Sequence, residues 1–100
     1  MKYKVEWTFL AKDSYFEEIE FIHLKWNLSE VLKFEELVIS ELFRLSSNPT
    51  LGKQQSNNQY SFVVSKQTTL FYRINEEFKS IELLLFCNNL RNPTDLTKLI

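Results

Sequence analysis

The sequence predicts a single α+β domain over residues 1–100, in which an N-terminal strand and an αα-hairpin precede a three-stranded antiparallel meander. Three observations support this prediction. Apolar and polar side chains alternate over residues 3–9, two apolar stripes with helical spacing follow over residues 15–45, and three strand-like runs lie beyond residue 59. A chain of 100 residues has room for one core. We therefore expect the strands to form one sheet that packs on the helical hairpin.

The first strand is expected at residues 3–9, because aromatic and aliphatic side chains occupy the odd positions and polar or charged ones the even positions. A helix follows, and Ser14 with Glu17 has the spacing of a capping box at its start. One apolar stripe then recurs at helical spacing and is expected to be buried. It consists of Tyr15, Ile19, Ile22 and Trp26.

A second helix is expected after a short break at Asn27 and Leu28, with Ser29 as its N-cap. It should end near Asn48, because Pro49 disfavours helical geometry in the residue before it. So short a break favours two antiparallel helices. The buried stripe of this helix is expected to consist of Val31, Phe34, Val38, Leu42 and Leu45.

The second half of the chain predicts the meander. A polar loop over residues 49–59 leads to three strands, at Tyr60–Ser65, Thr69–Asn75 and Ser80–Cys87. The connections between these strands have hairpin length, which predicts antiparallel order. The last strand contains four consecutive apolar residues, 83–86, so we expect an interior strand with both faces covered.

Composition narrows the classes of function. One cysteine and one histidine exclude an internal disulfide, a cysteine-based zinc site and a histidine-rich metal cluster, so no cofactor is expected. No apolar run has the length of a membrane span, and we expect a cytoplasmic protein. Residues 12–48 carry a net charge of −4 and residues 49–100 a net charge of +2. An anionic partner should therefore favour the C-terminal half.

Several segments, taken in order, resemble those of a known family. Trp26 closes the first helix in KWNLSEVLKF, Asn48 and Pro49 follow the second helix in LFRLSSNPTLGK, and Tyr72 lies in the strand TTLFYRI. A late LRNP segment contains Arg91. Together with the order of strand, two helices, loop and three strands, these segments resemble the RelE/ParE family of plasmid-stabilisation toxins, which belong to type II toxin–antitoxin systems.

This resemblance implies one fold with two kinds of target. RelE-like members cleave mRNA on the ribosome with a cluster of Lys and Arg, often with a late Tyr, whereas ParE-like members inhibit DNA gyrase. Members of both kinds are neutralised by an antitoxin whose C-terminal segment wraps the toxin. The resemblance thus implies a cognate antitoxin encoded by a neighbouring gene, gyrase or the ribosome as the target, and no membrane or sequence-specific DNA binding by this chain alone.

The sequence departs from the RNA-cleaving pattern. It has three arginines in total, and Tyr60, Ser61, Thr68 and Thr69 stand where such members often have arginine or tyrosine. Leu96 lies near the position of the late tyrosine. We therefore favour a ParE-like toxin that causes growth inhibition by binding. The alternatives are a ribosome-dependent mRNA endonuclease with an altered active site, and a degenerate member that binds its antitoxin without toxicity.

The candidate target contacts are the basic residues of the C-terminal half, and no residue is predicted to be catalytic. These contacts are Arg91, Arg73, Lys53 and Lys66. Arg73 has an alternative role in a cross-strand salt bridge with Glu82. His23 lacks an orienting partner in the sequence, and Cys87 is interpreted as a small buried hydrophobe.

The candidate antitoxin contacts come from the apolar strand and its neighbours. Regular alternation places Leu84 and Phe86 on one face and the other apolar residues of this strand on the opposite face. Because the hairpin can cover only one face, Leu84 and Phe86 with Phe62 and Phe71 are expected to form an apolar patch that binds the antitoxin. The alternative cover for this patch is the tail of the chain itself, Leu96–Ile100.

Overall fold

The computed structural model describes residues 2–89 and confirms the predicted α+β fold. Its elements are β1 (Lys4–Trp7), α1 (Phe9–Lys25), α2 (Leu28–Ser47), a 3₁₀ turn (Pro49–Leu51), β2 (Lys53–Gln54), β3 (Gln59–Ser65), β4 (Thr68–Asn75) and β5 (Ser80–Asn88). The strands form one sheet in the order β1-β5-β4-β3-β2. Strand β1 is parallel to β5, and all other pairs are antiparallel. Strand β5 is therefore interior, as its apolar run predicts, and the short strand β2 is additional to the prediction.

Helix α1 begins at Phe9, earlier than its predicted start at Ser14. Thr8 is the N-cap, since its Oγ1 accepts a hydrogen bond from the Ala11 backbone N–H at 3.1 Å. The same hydroxyl donates to the Leu83 carbonyl oxygen at 2.7 Å, which fixes the cap to β5. The predicted capping box at Ser14 is therefore wrong, and a tertiary contact at the end of β1 determines where the helix starts.

Helix α2 begins at Leu28, and Asn27 rather than the predicted Ser29 is its N-cap. The Asn27 side-chain oxygen accepts a hydrogen bond from the Glu30 backbone N–H at 3.0 Å. The helix ends before Asn48, where Pro49 predicts its end. The two helices are joined by two residues and form the expected hairpin.

The core lies between the helices and one face of the sheet, but α1 is rotated relative to its predicted stripe. It buries Ala11, Ser14, Glu18 and Ile22, whereas Trp26 remains 45% exposed, so the prediction for Trp26 is wrong. Small residues face β5 because the helix approaches it closely: the Ser14 Oγ accepts a hydrogen bond from the Phe86 backbone N–H at 2.9 Å. In α2 the predicted stripe holds for Val31, Phe34, Val38 and Leu45, which are buried, while Leu42 is half-buried.

Strand β5 contains a β-bulge at Leu84. Phe71 pairs with Leu85 and Tyr72 with Leu83, so Leu84 is an extra residue between two regular stretches. The bulge shifts the alternation by one residue, and Phe86 therefore faces the helices, where its ring stacks on Trp7 with 5.5 Å between ring centroids. The expectation that Leu84 and Phe86 share a face is wrong for this reason.

Candidate functional site

The sheet face opposite the helices carries an apolar hollow of about 300 Å³, which we call the sheet-face depression. Phe71 and Leu84 are half-buried there, beside the buried Leu85. The bulge produces this arrangement, because it adds a leucine to the face that the helices do not cover. The residues that line the depression are Leu10, Gln55, Gln59, Tyr60, Phe71, Leu84 and Leu85.

Two of the four candidate antitoxin contacts lie elsewhere. Phe86 is 3% exposed and belongs to the core, and Phe62 packs against the same core beside Leu70, its partner on β4. Neither residue is part of the sheet-face depression. Phe71 and Leu84 are therefore the candidates that the structure brings together on one surface. The tail Leu96–Ile100, the alternative cover for this surface, lies outside the described residues.

The candidate basic contacts are dispersed within the part of the chain that the structure describes. Arg73 forms a two-point ion pair with Glu82, with 3.1 Å between Nε and Oε1 and 3.2 Å between Nη2 and Oε2. This confirms its alternative role as a cross-strand salt bridge. Lys53 lies exposed on β2, and Lys66 lies exposed in the turn after β3. Arg91 lies outside the described residues.

A buried tyrosine fixes the loop beside the depression. The Tyr72 hydroxyl donates to the Pro49 carbonyl oxygen at 2.6 Å and accepts from the Gly52 backbone N–H at 3.0 Å. Burial raises the pKa of Tyr72, so the hydroxyl stays protonated and keeps its donor role. Glycine is required at position 52, because a Cβ there would lie 2.6 Å from the Ser61 carbonyl oxygen and 2.7 Å from the Tyr72 hydroxyl. The loop is thereby held against β3 and β4, next to Gln55 at the rim.

The structure reveals a buried carboxylate that the sequence does not single out. Glu18 is 1% exposed and accepts hydrogen bonds from the Thr68 hydroxyl and from the Asn88 side-chain amide, the latter at 2.8 Å. These bonds tie α1 to the first residue of β4 and the last residue of β5. The only available signal was its position, four residues before Ile22 and four after Ser14 on the buried face of α1.

Within residues 2–89, no helix combines the length and the apolar character that a membrane span requires. The same residues contain no group of three histidine, cysteine or carboxylate side chains placed to hold a metal ion. The sheet-face depression itself combines apolar side chains with the polar side chains of Gln55 and Gln59.

No protein-family model matches the sequence, and no curated protein matches it. Solved structures do match. The Mycobacterium tuberculosis RelBE2 toxin–antitoxin complex has a chain with 19% identity and a TM-score of 0.60, which covers 89% of this chain and 100% of that one. The chromosomal ParDE toxin–antitoxin system of P. aeruginosa gives 13% identity and a TM-score of 0.71, covering 87% of this chain and 96% of that one. The chain has the RelE/ParE toxin fold.

A RelE-type toxin without its antitoxin also shares this fold with the chain. A mutant of the free E. coli RelE toxin gives 14% identity and a TM-score of 0.63, covering 99% of this chain and 90% of that one. RelE-type and ParE-type structures thus match over similar shares of the chain. The RelE/ParE fold accommodates both kinds, so the choice between targets depends on the residues of the site.

Proposed function

We propose that this chain is the toxin of a type II toxin–antitoxin system, of the ParE-like kind. It inhibits an essential target such as DNA gyrase by binding, and a cognate antitoxin neutralises it. The observation that carries the proposal is the composition of the open sheet face. That face offers an apolar depression around Phe71 and Leu84, while its arginine is already engaged by a carboxylate.

Cleavage of RNA needs several cationic or proton-transferring groups around one phosphate. Arg73 is paired with Glu82, and Lys53 and Lys66 lie at opposite ends of β3. Lys53 is opposite Ser61, five residues before Lys66, which corresponds to about 16 Å along the strand. This dispersal favours binding over catalysis.

The sheet-face depression suits the proposed antitoxin. Its apolar floor matches the anchors of an extended or helical segment. Among the described residues, β2 has no strand on its outer side, so this sheet edge can accept an added strand. Residues 49–100 carry a net charge of +2, which suits an acidic segment beside those anchors. Phe71 and Leu84 are the contacts that we propose for it.

Two assays on the purified full chain test the target. We expect DNA gyrase supercoiling to be inhibited and mRNA on translating ribosomes to remain intact. Codon-specific mRNA cleavage that is lost in Arg91→Ala would contradict the proposal and establish the endonuclease alternative. If the chain binds the product of the neighbouring gene but inhibits neither process, it is the degenerate member.

A further inference from the structure

A second cleft lies on the helix side of the sheet, between α2 and the turn that connects β3 to β4. Its volume is about 250 Å³, and we call it the turn cleft. Ile22, Phe34 and Leu37 provide apolar walls, and Ser65 with Lys66 contributes the turn side. Because the sheet separates it from Phe71 and Leu84, the turn cleft is a different surface from the sheet-face depression.

One wall of the turn cleft carries an unusual polar atom. The Ser65 Oγ is buried and has no hydrogen-bond partner among residues 2–89. Buried polar atoms in folded proteins nearly always have a partner. The pairing of β3 with β4 is irregular between Val63 and Ser65, and Ser65 pairs with Thr68 at the end of the ladder. A hydroxyl that has no partner in the described part of the chain and lies beside an open cleft is available to a polar group that enters the cleft.

The rim of the turn cleft is mainly cationic. Lys66 is exposed and forms no ion pair within the described residues, and Lys33 is 74% exposed with a 3.3 Å contact to Glu30. An exposed pair of this kind is weak and leaves the ammonium group free to turn towards another anion. Trp26 adds a half-exposed aromatic face, with the Lys25 ammonium 5.0 Å from its ring centroid.

The size of the cleft decides between a small molecule and a side chain. Sites for drug-sized ligands have volumes of about 300–1,000 Å³, so 250 Å³ is small for a complete ligand. It is adequate for one large side chain of a longer polypeptide that continues over the rim. Apolar walls with an indole at the edge favour an aromatic or large aliphatic side chain.

We propose that the turn cleft binds an acidic peptide segment of a partner protein, through one aromatic or large aliphatic anchor. The anchor packs against Ile22, Phe34 and Leu37, the peptide bonds to the Ser65 hydroxyl, and its carboxylates lie near Lys33 and Lys66. This surface is independent of the sheet-face depression, and the proposal holds whether or not the chain is a toxin.

Titration of the ¹⁵N-labelled full chain by NMR tests this proposal. The probe is acetyl-Asp-Phe-Glu-Asp-amide, compared with the uncharged acetyl-Asn-Phe-Gln-Asn-amide and with acetyl-Asp-Ala-Glu-Asp-amide, which lacks the anchor. We expect the acidic phenylalanine peptide to shift the amides of residues 65–67 and the indole N–H of Trp26. Both comparison peptides should bind at least about fivefold more weakly, because each lacks one of the two contributions.

Two matched substitutions separate local charge from overall charge. Lys66→Glu should weaken binding of the acidic peptide by about fivefold, since it reverses one charge at the rim. Lys12→Glu makes the same change on an exposed part of α1 and should leave the affinity unchanged. Equal binding of the charged and uncharged peptides, equal effects of the two substitutions, or shifts confined to residues away from the cleft would each overturn the proposal.

Discussion

At the residue scale, Glu18 shows how one polar side chain joins three elements. A carboxylate that is removed from water needs hydrogen bonds in compensation, and Glu18 obtains them from Thr68 and Asn88. Sequence patterns treat a glutamate in a helix as solvent-facing, because most glutamates are exposed. Its role was therefore not predictable from the sequence, since it depends on which residues of β4 and β5 meet α1.

We predict that Glu18→Ala lowers the free energy of unfolding by about 3 kcal/mol, because it removes the acceptor of two buried donors. Glu17→Ala is the matched control: the residue is adjacent and exposed, so its effect should stay within about 0.5 kcal/mol. Urea denaturation followed by circular dichroism measures both. Equal effects of the two substitutions would show that the buried hydrogen bonds contribute little.

At the element scale, the sequence predicted the helices and the main strands better than it predicted their boundaries. Pro49 marks the end of α2 because its effect on the preceding residue is local. The start of α1 was misplaced, because Ser14 has the local spacing of a cap while Thr8 has the tertiary contact to β5. Local sequence signals therefore predict the boundary of a helix only where no tertiary contact to a distant strand sets a different boundary.

The candidate site was predictable only in part, because the sequence shows the apolar residues of β5 but not the position of the bulge. The apolar run of β5 predicted uncovered apolar residues, and Phe71 with Leu84 does lie on the face opposite the helices. The sequence of β5 does not show where the alternation of its two faces shifts. The bulge lies within three consecutive leucines, so the pattern of residue types is the same with or without it. Phe86 was consequently placed on the wrong face.

The role of the bulge can be tested by deleting its extra residue. Residues 83–85 are all leucine, so the removal of any one of them gives the same chain, IELLFCN, with regular alternation. Ile81 and Phe86 then keep their places on the helix side without a bulge. We predict that this variant folds with native-like near-ultraviolet circular dichroism, because the Trp7–Phe86 stack is retained. It should also bind the proposed antitoxin more weakly, because the sheet-face depression has lost one leucine.

Deletion of Phe71 from β4 is the control for this experiment. It removes a residue from a strand without a bulge of its own, and every side chain beyond it moves to the opposite face. We expect that variant not to fold. If both deletions unfold the chain, the prediction is wrong and the bulge is itself required for folding.

At the scale of the whole molecule, most of the exposed large apolar side chains of the described residues lie on the helical hairpin. Phe16, Leu24, Ile39 and Phe43 are each at least 60% exposed. Residues 12–48 carry a net charge of −4, which opposes association of two such surfaces at low ionic strength. Apolar attraction and charge repulsion therefore act against each other on the same part of the molecule.

We predict that the isolated chain self-associates as salt concentration rises, because salt screens the repulsion and leaves the apolar contacts intact. The double variant Phe16→Gln with Ile39→Gln should remain monomeric under the same conditions. Val63→Gln, an exposed position on β3, is the control and should behave like the parent chain. Sedimentation velocity distinguishes these outcomes, and association that weakens with salt would contradict the prediction.

The parallel pairing of β1 with β5 has a consequence for the order of events during synthesis. Lys4 pairs with Ser80 and Trp7 with Leu83, and the described part of the chain offers β1 no other strand. Strand β1 leaves the ribosome before β5 and cannot pair until β5 has been translated. The two helices, in contrast, can pack together as soon as Ser47 has emerged. Contacts of such wide sequence separation slow folding. A translation product that stops before Ser80 exposes β1 without its partner. Such an unpaired strand edge makes a nascent chain prone to aggregation and dependent on chaperones.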